Sequence, residues 1–135
     1  MRFLITGGAG FIGSNAAGRF RELGHEVVVF DSFVRAASRF NRAWLESRHP
    51  DIRFIEGDVR DPEALRDALA QPFDAVLHLA GQVAVTTSIL DPVTDHDINA
   101  MGTFKLLEEL RRRHGGAHDR APLLIYASTN KVYGH

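Results

Sequence analysis

Short apolar runs alternate with helical patterns along the whole chain. Phe3-Leu4-Ile5-Thr6 has the length of a strand and is cut by Gly7-Gly8. From Ile12 to Leu23 apolar residues recur every three or four positions, which predicts a helix with Ile12, Ala16, Phe20 and Leu23 on its buried face. Gly24-His25 ends it. Val27-Val28-Val29-Phe30 is an unbroken run of the kind found in strands buried on both faces. Ala36 to Arg48 has helical composition, with Phe40, Trp44 and Leu45 as expected anchors, and Ile52 to Ile55 reads as the third strand.

Asp61-Pro62-Glu63 opens the next helix, which is expected to run to about Ala70. An aspartate cap, proline in the first turn and an early acid all suit a helix N-terminus. Ala75 to Leu79 is the fourth strand, and Ala80 to Leu90 reads as a loop. Asp91-Pro92 then starts a long helix reaching His114, and Leu123 to Tyr126 is the fifth strand. Strand and helix alternate throughout. That order predicts an α/β fold, a doubly wound parallel sheet with strand order 3-2-1-4-5, because crossovers between parallel strands are right-handed.

Composition narrows what such a fold does. The 135 residues include no cysteine, so disulfides, thiolate metal sites and cysteine nucleophiles are excluded. Sixteen basic residues stand against seventeen acidic ones, which argues against a nucleic-acid partner. Arg111-Arg112-Arg113-His114 is the one basic run, and its place at a helix C-terminus suits the helix dipole. The apolar runs are strand-sized, far below the about 20 residues of a membrane helix. The seven histidines show no metal-binding spacing, and a cytoplasmic protein with no metal is the expectation.

The segment Thr6-Gly7-Gly8-Ala9-Gly10-Phe11-Ile12-Gly13 joins strand one to helix one. Glycines at this spacing let the chain turn sharply and let a pyrophosphate approach backbone N–H groups at a helix N-terminus. A side chain at Gly10 would occupy the ligand's place, and Gly13 allows the helix to pack on the strand. Asp31 closes strand two, 18 residues after Gly13. A carboxylate there accepts hydrogen bonds from both adenosine ribose hydroxyls and repels an added phosphate, so the motif points to NAD rather than NADP. His78 falls within a strand and is expected to be a hydrogen-bonded core histidine.

On these residues the chain resembles the extended short-chain dehydrogenase/reductase family, which acts largely on nucleotide sugars. Four further blocks carry the resemblance: Gly57-Asp58-Val59-Arg60-Asp61, His78-Leu79-Ala80-Gly81-Gln82, Asp97-Ile98-Asn99-Ala100-Met101-Gly102-Thr103, and Ser128-Thr129-Asn130-Lys131-Val132-Tyr133-Gly134. The resemblance implies that Gly7, Gly10, Phe11, Ile12, Gly13, Asp31, Ser32, Asp58, Val59, Leu79, Ala80, Gly81 and Asn99 bind NAD. Asp58 would accept from the adenine amino group, although capping a turn is its plainer role. Asn99 would touch the cofactor, satisfy a buried backbone group, or do both. Gly81 to Ser88 and the 128–134 block are similar to the branch that epimerises CDP-hexoses at carbon 2. There Gln82, Thr86, Thr87 and Ser88 would meet the sugar nucleotide, or the two threonines and Ser88 would cap the following segment. The 4,6-dehydratases carry an Asp-Glu pair where this chain has Asn130 and Lys131, which counts against that reaction.

The resemblance also implies hydride removal and return at a sugar carbon, with a tyrosine base and a lysine four residues later. Thr129 matches the hydroxyl that assists. Neither tyrosine is followed by such a lysine: four residues after Tyr126 stands Asn130, and Tyr133 lies two residues before His135. Both tyrosines are expected to be packing residues. The chain is therefore read as one dinucleotide-binding unit over 1–135, the N-terminal part of an epimerase without its substrate domain, binding NAD without turnover. The alternative is a non-catalytic NAD-binding module, alone or completed by a partner. The family often dimerises through its long helix, here 91–114, so a homodimer is possible through that face.

Overall fold

The computed structural model describes residues 1–115 and 121–128. Five strands form one parallel sheet in the order β3-β2-β1-β4-β5: β1 (Arg2–Thr6), β2 (Glu26–Asp31), β3 (Arg53–Glu56), β4 (Ala75–His78) and β5 (Leu123–Tyr126). The helices between them are α1 (Phe11–Glu22), α2 (Ala36–Arg48), α3 (Pro62–Ala68), α4 (Val85–Leu90), α5 (Pro92–His96) and α6 (Gly102–His114). The expected strand order is the one observed. Several boundaries shift by a residue or two: β1 starts at Arg2, β2 spans Glu26–Asp31, β3 is Arg53–Glu56 rather than 52–55, β4 stops at His78 rather than Leu79, α1 spans Phe11–Glu22, and α3 ends at Ala68.

The period-two geometry of strands sorts the core into two layers. Phe3, Ile5, Val27 and Val29 face α1 and α2, with Ala17 and Leu45. Leu4, Val28, Phe30 and Val76 face α3 and α6, with Leu65, Leu106 and Leu110. Asp61 caps α3 by accepting from the Glu63 amide at 2.9 Å. The basic end of α6 is tied down locally: Arg111 and Arg112 pair with Glu108, and Arg113 with Glu109. No helix among the described residues is long and apolar enough to cross a membrane.

Three expectations need correction. Helix α1 does not bury Ile12 and Leu23, which are 67% and 54% exposed. Its inner face is Gly13, Ser14, Ala17 and Gly18, with Ala16 and Phe20 at the margin. Small residues there bring the helix axis close to the sheet, leaving no room for large side chains on that stripe. In α2 the anchor is Leu45, fully buried, while Phe40 is 76% exposed and Trp44 sits at the surface. The 80–90 segment is not all loop, since α4 occupies Val85–Leu90. The long helix from Pro92 to His114 is present, but Asp97–Met101 within it is a π-helical turn. Such single wide turns recur at functional sites.

One polar bridge crosses the second layer. Thr6 and His78 end β1 and β4 and are register partners on the same face. Thr6 Oγ1 and His78 Nδ1 are 2.5 Å apart, and His78 Nε2 lies 3.0 Å from Thr103 Oγ1 on α6. Thr103 donates its own hydroxyl proton to the Asn99 carbonyl at 2.7 Å. It can therefore only accept from His78, which assigns the proton to Nε2 and makes Nδ1 the acceptor from Thr6. The neutral ring satisfies every partner, and a second proton on Nδ1 would face a donor. His78 is thus the hydrogen-bonded core histidine expected, and burial pushes its pKa from 6.5 down to about 4.

Two outcomes are expected in urea unfolding. Leu45→Ala should cost about 3 kcal/mol, and Phe40→Ala less than about 0.5 kcal/mol; equal losses would contradict the assignment of the α2 face. The unfolded chain takes a proton on His78 as pH falls below 6.5, while the native ring stays neutral to about 4. Stability should therefore fall as pH drops through that window, by at most about 3 kcal/mol. His78→Gln should remove that part of the pH dependence, and an unchanged profile would contradict it.

Candidate functional site

The sheet order reverses direction of winding between β1 and β4, and ligands of doubly wound sheets bind at that switch point, beyond the strands' C-terminal ends. Here the chain leaves β1 through Gly7, which has φ 67°. A Cβ on Gly7 would stand 2.6 Å from the Ala80 amide nitrogen. Backbone thus meets backbone between the two loops, and only glycine fits. A Cβ on Gly13 would collide with the Gly7 carbonyl oxygen and lie 2.6 Å from Gly8 Cα. On Gly10 the nearest atom is the Gly7 oxygen at 3.1 Å, and nothing else lies within 4 Å, so that side of the turn is open.

The turn leaves donors free. Gly10 N donates to the Gly7 carbonyl and Ser14 N to the Gly10 carbonyl, while the amides of Phe11, Ile12 and Gly13 have no backbone partner among the described residues. These are the orphan donors of a helix N-terminus, at the positive end of its dipole. The side chain of Phe11 is 84% exposed. Two apolar side chains, Phe11 and Ile12, therefore flank a set of unpaired amides. An anion with an organic body fits both features, as a dinucleotide pyrophosphate does.

Asp31 stands at the end of β2, half-buried. Its Oδ2 accepts from the Ala9 amide and its Oδ1 from the Phe33 amide, each at 3.0 Å. The carboxylate is thereby fixed beside the glycine turn, with lone pairs remaining on both oxygens. Asn41 Nδ2 donates to the Ala9 carbonyl at 2.8 Å and so braces the same turn from α2. Phe33, buried, has the left-handed φ of 50°, and Arg39 Nε donates to its carbonyl at 3.0 Å. Neither Asn41 nor Phe33 was legible as part of the site: Asn41 acts on a carbonyl 32 positions away, and Phe33 through its own backbone amide, which no side-chain pattern reveals. Ser32 adjoins Asp31 and makes no side-chain hydrogen bond among the described residues.

Asp58 is engaged by Arg60. Its Oδ1 accepts from the Arg60 amide at 2.8 Å, and Oδ2 from Arg60 Nη2 at 2.6 Å. Hydrogen bonds from the guanidinium hold its carboxyl below the usual carboxylate range. Lys105 Nζ donates to the Arg60 carbonyl at 2.6 Å and fixes this turn to α6. The plainer, turn-capping role of Asp58 is thus filled. Val59 points into the core, where Gly102 admits it: a Cβ on Gly102 would lie 2.7 Å from a Val59 methyl.

Beyond β4, Leu79 N donates to the Thr6 carbonyl at 3.0 Å and Ala80 N reaches Thr6 Oγ1 at 3.4 Å. Asn99, in the π-helical turn, clasps the backbone of Gln82. Its Oδ1 accepts from Gln82 N at 2.8 Å, and its Nδ2 donates to Gln82 O at 3.2 Å and to Asp95 Oδ1 at 3.1 Å. Asn99 therefore satisfies half-buried backbone groups and shapes the 80–82 loop, with Gly81 packed beside its carbonyl oxygen. Thr86 and Thr87 lie exposed on α4 and do not cap the next helix, which Asp91 caps through the Thr94 amide at 3.0 Å. Tyr126 stacks on His78 with ring centroids 5.7 Å apart. Thr129 and Tyr133, with most of the 128–134 block, lie outside the described residues.

Comparison with known proteins gives the same frame. A CDP-paratose 2-epimerase of Salmonella typhi is 42% identical over 99% of this chain. A UDP-glucose 4-epimerase of Neisseria meningitidis serogroup B is 34% identical over 98% of it. In each case the chain spans 38% of the relative's length. The solved UDP-glucose 4-epimerase of Stenotrophomonas maltophila, with bound NAD and formylated UDP-arabinopyranose, superposes with a TM-score of 0.82 at 31% identity. That match covers 99% of this chain and 38% of the other. Residues 3–135 match the NAD dependent epimerase/dehydratase family, and the chain belongs to it.

Proposed function

We propose that residues 1–135 form the dinucleotide-binding portion of a nucleotide-sugar epimerase, and that its substrate is a CDP-hexose epimerised at carbon 2. The observation that carries the first half is the set of unpaired Phe11, Ile12 and Gly13 amides at the β1–β4 switch point, with the Asp31 carboxylate fixed beside it. The 42% identity to a CDP-paratose 2-epimerase supports the second half.

When bound, NAD supplies reversible hydride transfer at a sugar carbon. The residues of this chain hold and orient it. The three amides and the α1 dipole take the pyrophosphate, with Gly10 leaving the approach open and Phe11 and Ile12 covering it. Asp31 accepts from the adenosine ribose hydroxyls, with Ser32 alongside. Asp58 offers its remaining lone pairs to the adenine amino group, and the Val59 backbone follows it. Leu79, Ala80 and Gly81 line the nicotinamide side, held by Thr6 and Asn99. Thr129 hydrogen-bonds the reacting sugar hydroxyl, while Gln82, Thr86 and Thr87 face the sugar nucleotide.

Proton transfer needs a base of matched pKa. The tyrosine–lysine pair that supplies it in the family has no counterpart at the required spacing in these 135 residues. The chain by itself therefore binds NAD and does not turn over. Exposed Phe104 and Leu107 on α6 support pairing of two copies through the 91–114 helix.

Calorimetry with NAD and NADP tests this reading. The purified chain is expected to bind NAD more tightly than NADP, and Asp31→Ala to weaken NAD by about ten-fold and to narrow the preference. Asp31→Asn keeps one backbone acceptor and separates loss of charge from loss of the turn. A preference unchanged in both variants would contradict the role of Asp31.

A further inference from the structure

Helices α1 and α2 cover the same face of the sheet, and a groove of about 270 Å³ lies between them. From α1 it takes Gly18, Arg19 and Glu22, which share one side of the helix because they stand three and four positions apart. From α2 it takes Trp44 and Arg48, again four apart, and His49 at the helix end. The groove runs along the later turns of α1, whereas the unpaired amides of the glycine-rich turn lie at its start.

Gly18 forms the floor, and packing does not require a glycine there. Glycine inside a helix is unfavourable relative to alanine. At Gly13 a side chain would collide with backbone, which explains that glycine. At Gly18 a Cβ would meet His49 Nε2 at 3.5 Å and Trp44 Cη2 at 3.7 Å, which are ordinary contact distances. Alanine fits and is the better helix former. What the glycine does is keep a space open between an indole and an imidazole.

The charges around that space do not balance. Arg19 Nη1 donates to Glu22 Oε2 at 3.1 Å, so the one carboxylate of the groove is already matched. Glu46, nearby on α2, pairs with Arg42. Arg48 lies with its guanidinium 5.4 Å over the Trp44 ring, is exposed, and makes no ion pair among the described residues. The side-chain hydrogen bond recorded at Trp44 goes to its carbonyl, from Ser47 Oγ at 2.8 Å, and leaves the indole N–H free. A guanidinium fork matches a carboxylate in pairs, and aromatic rings favour a third ring stacked or edge-on beside them.

We propose that the α1–α2 groove is a binding site for a small aryl carboxylate: the ring lies over Gly18 against Trp44 and His49, and the carboxylate pairs with Arg48. The groove carries one unmatched positive charge, which suits a monoanion. Its volume falls just below the roughly 300–1,000 Å³ of drug-sized ligand sites, so the occupant is a small free molecule. The site is separate from the dinucleotide cleft and does not rest on that reading.

Trp44 is the only tryptophan of the chain, so its emission reports on this groove. Titrating the purified chain with phenylacetate is expected to change that emission saturably. Acetate, which lacks the ring, and benzyl alcohol, which lacks the charge, are each expected to bind at least about ten-fold more weakly. Arg48→Gln should weaken phenylacetate by about ten-fold without lowering the melting temperature. Gly18→Ala should raise the melting temperature and weaken phenylacetate, because the added methyl gains helix propensity and fills the floor. A lowered melting temperature in Gly18→Ala would show that packing demands the glycine and would overturn the open floor. No saturable response to phenylacetate, or an equal one to benzyl alcohol, would overturn the site. A response abolished by saturating NAD would place the ligand at the glycine-rich turn and overturn it too. Binding about ten-fold tighter by acetyl-Gly-Gly-Phe would overturn the small-molecule assignment in favour of a peptide C-terminus.

Discussion

The site depends on how closely backbone meets backbone where β1 leaves the sheet. Gly7 passes the Ala80 backbone at a separation that excludes a Cβ, and Gly13 passes the Gly7 carbonyl in the same way. These two contacts set the start and the direction of α1. They also set its inner stripe of small residues, Gly13, Ala17 and Gly18. With the helix drawn in that far, its first amides lie at the strand ends and keep no internal partner. The donors that make an anion site are thus a consequence of packing, and the packing is a consequence of missing side chains.

A second layer of control comes from the far side of β4. The buried chain of hydrogen bonds from Thr6 through His78 and Thr103 to the Asn99 carbonyl joins two strand ends to the long helix. The Asn99 side chain then grips the Gln82 backbone. The π-helical turn at Asp97–Met101 places Asn99 at that loop while Gly102 lets the helix close on Val59. A neutral imidazole in the middle of this chain makes the loop's position sensitive to acid, since charging it turns the Nδ1 acceptor into a donor facing the Thr6 hydroxyl proton. The shape of the loop after β4 is therefore held by a polar core element and not by surface contacts.

The fold was largely legible because its signals are local. Runs such as Val27 to Phe30, the Asp61-Pro62 start of α3 and the glycine spacing at 7–13 each carry their meaning within a few residues. The site was legible where backbone geometry does the work, as at Gly7, Gly13 and Asp31. It was not legible where a side chain acts across the fold. Asp58 is shared with Arg60, Asn41 braces the Ala9 carbonyl, and Arg35 reaches Gln82. Helical periodicity also misplaced the inner face of α1. Ile12 and Leu23 fit the apolar rhythm, yet the close approach of the helix admits only small residues, and Ile12 is left beside the anion site. In α2 the same rhythm named Phe40, Trp44 and Leu45, and of these only Leu45 is buried.

The central claim is that the α1 N-terminus, with Asp31 beside it, holds the pyrophosphate of a dinucleotide. Amide-resolved nuclear magnetic resonance of the isotopically labelled chain, titrated with NAD, tests it most directly. The largest shifts are expected at the amides of Gly10, Phe11, Ile12 and Gly13, with smaller ones at Ala9, Asp31 and Ala80, and little change along α3. Saturable shifts centred elsewhere, with the 10–13 amides unmoved, would contradict it.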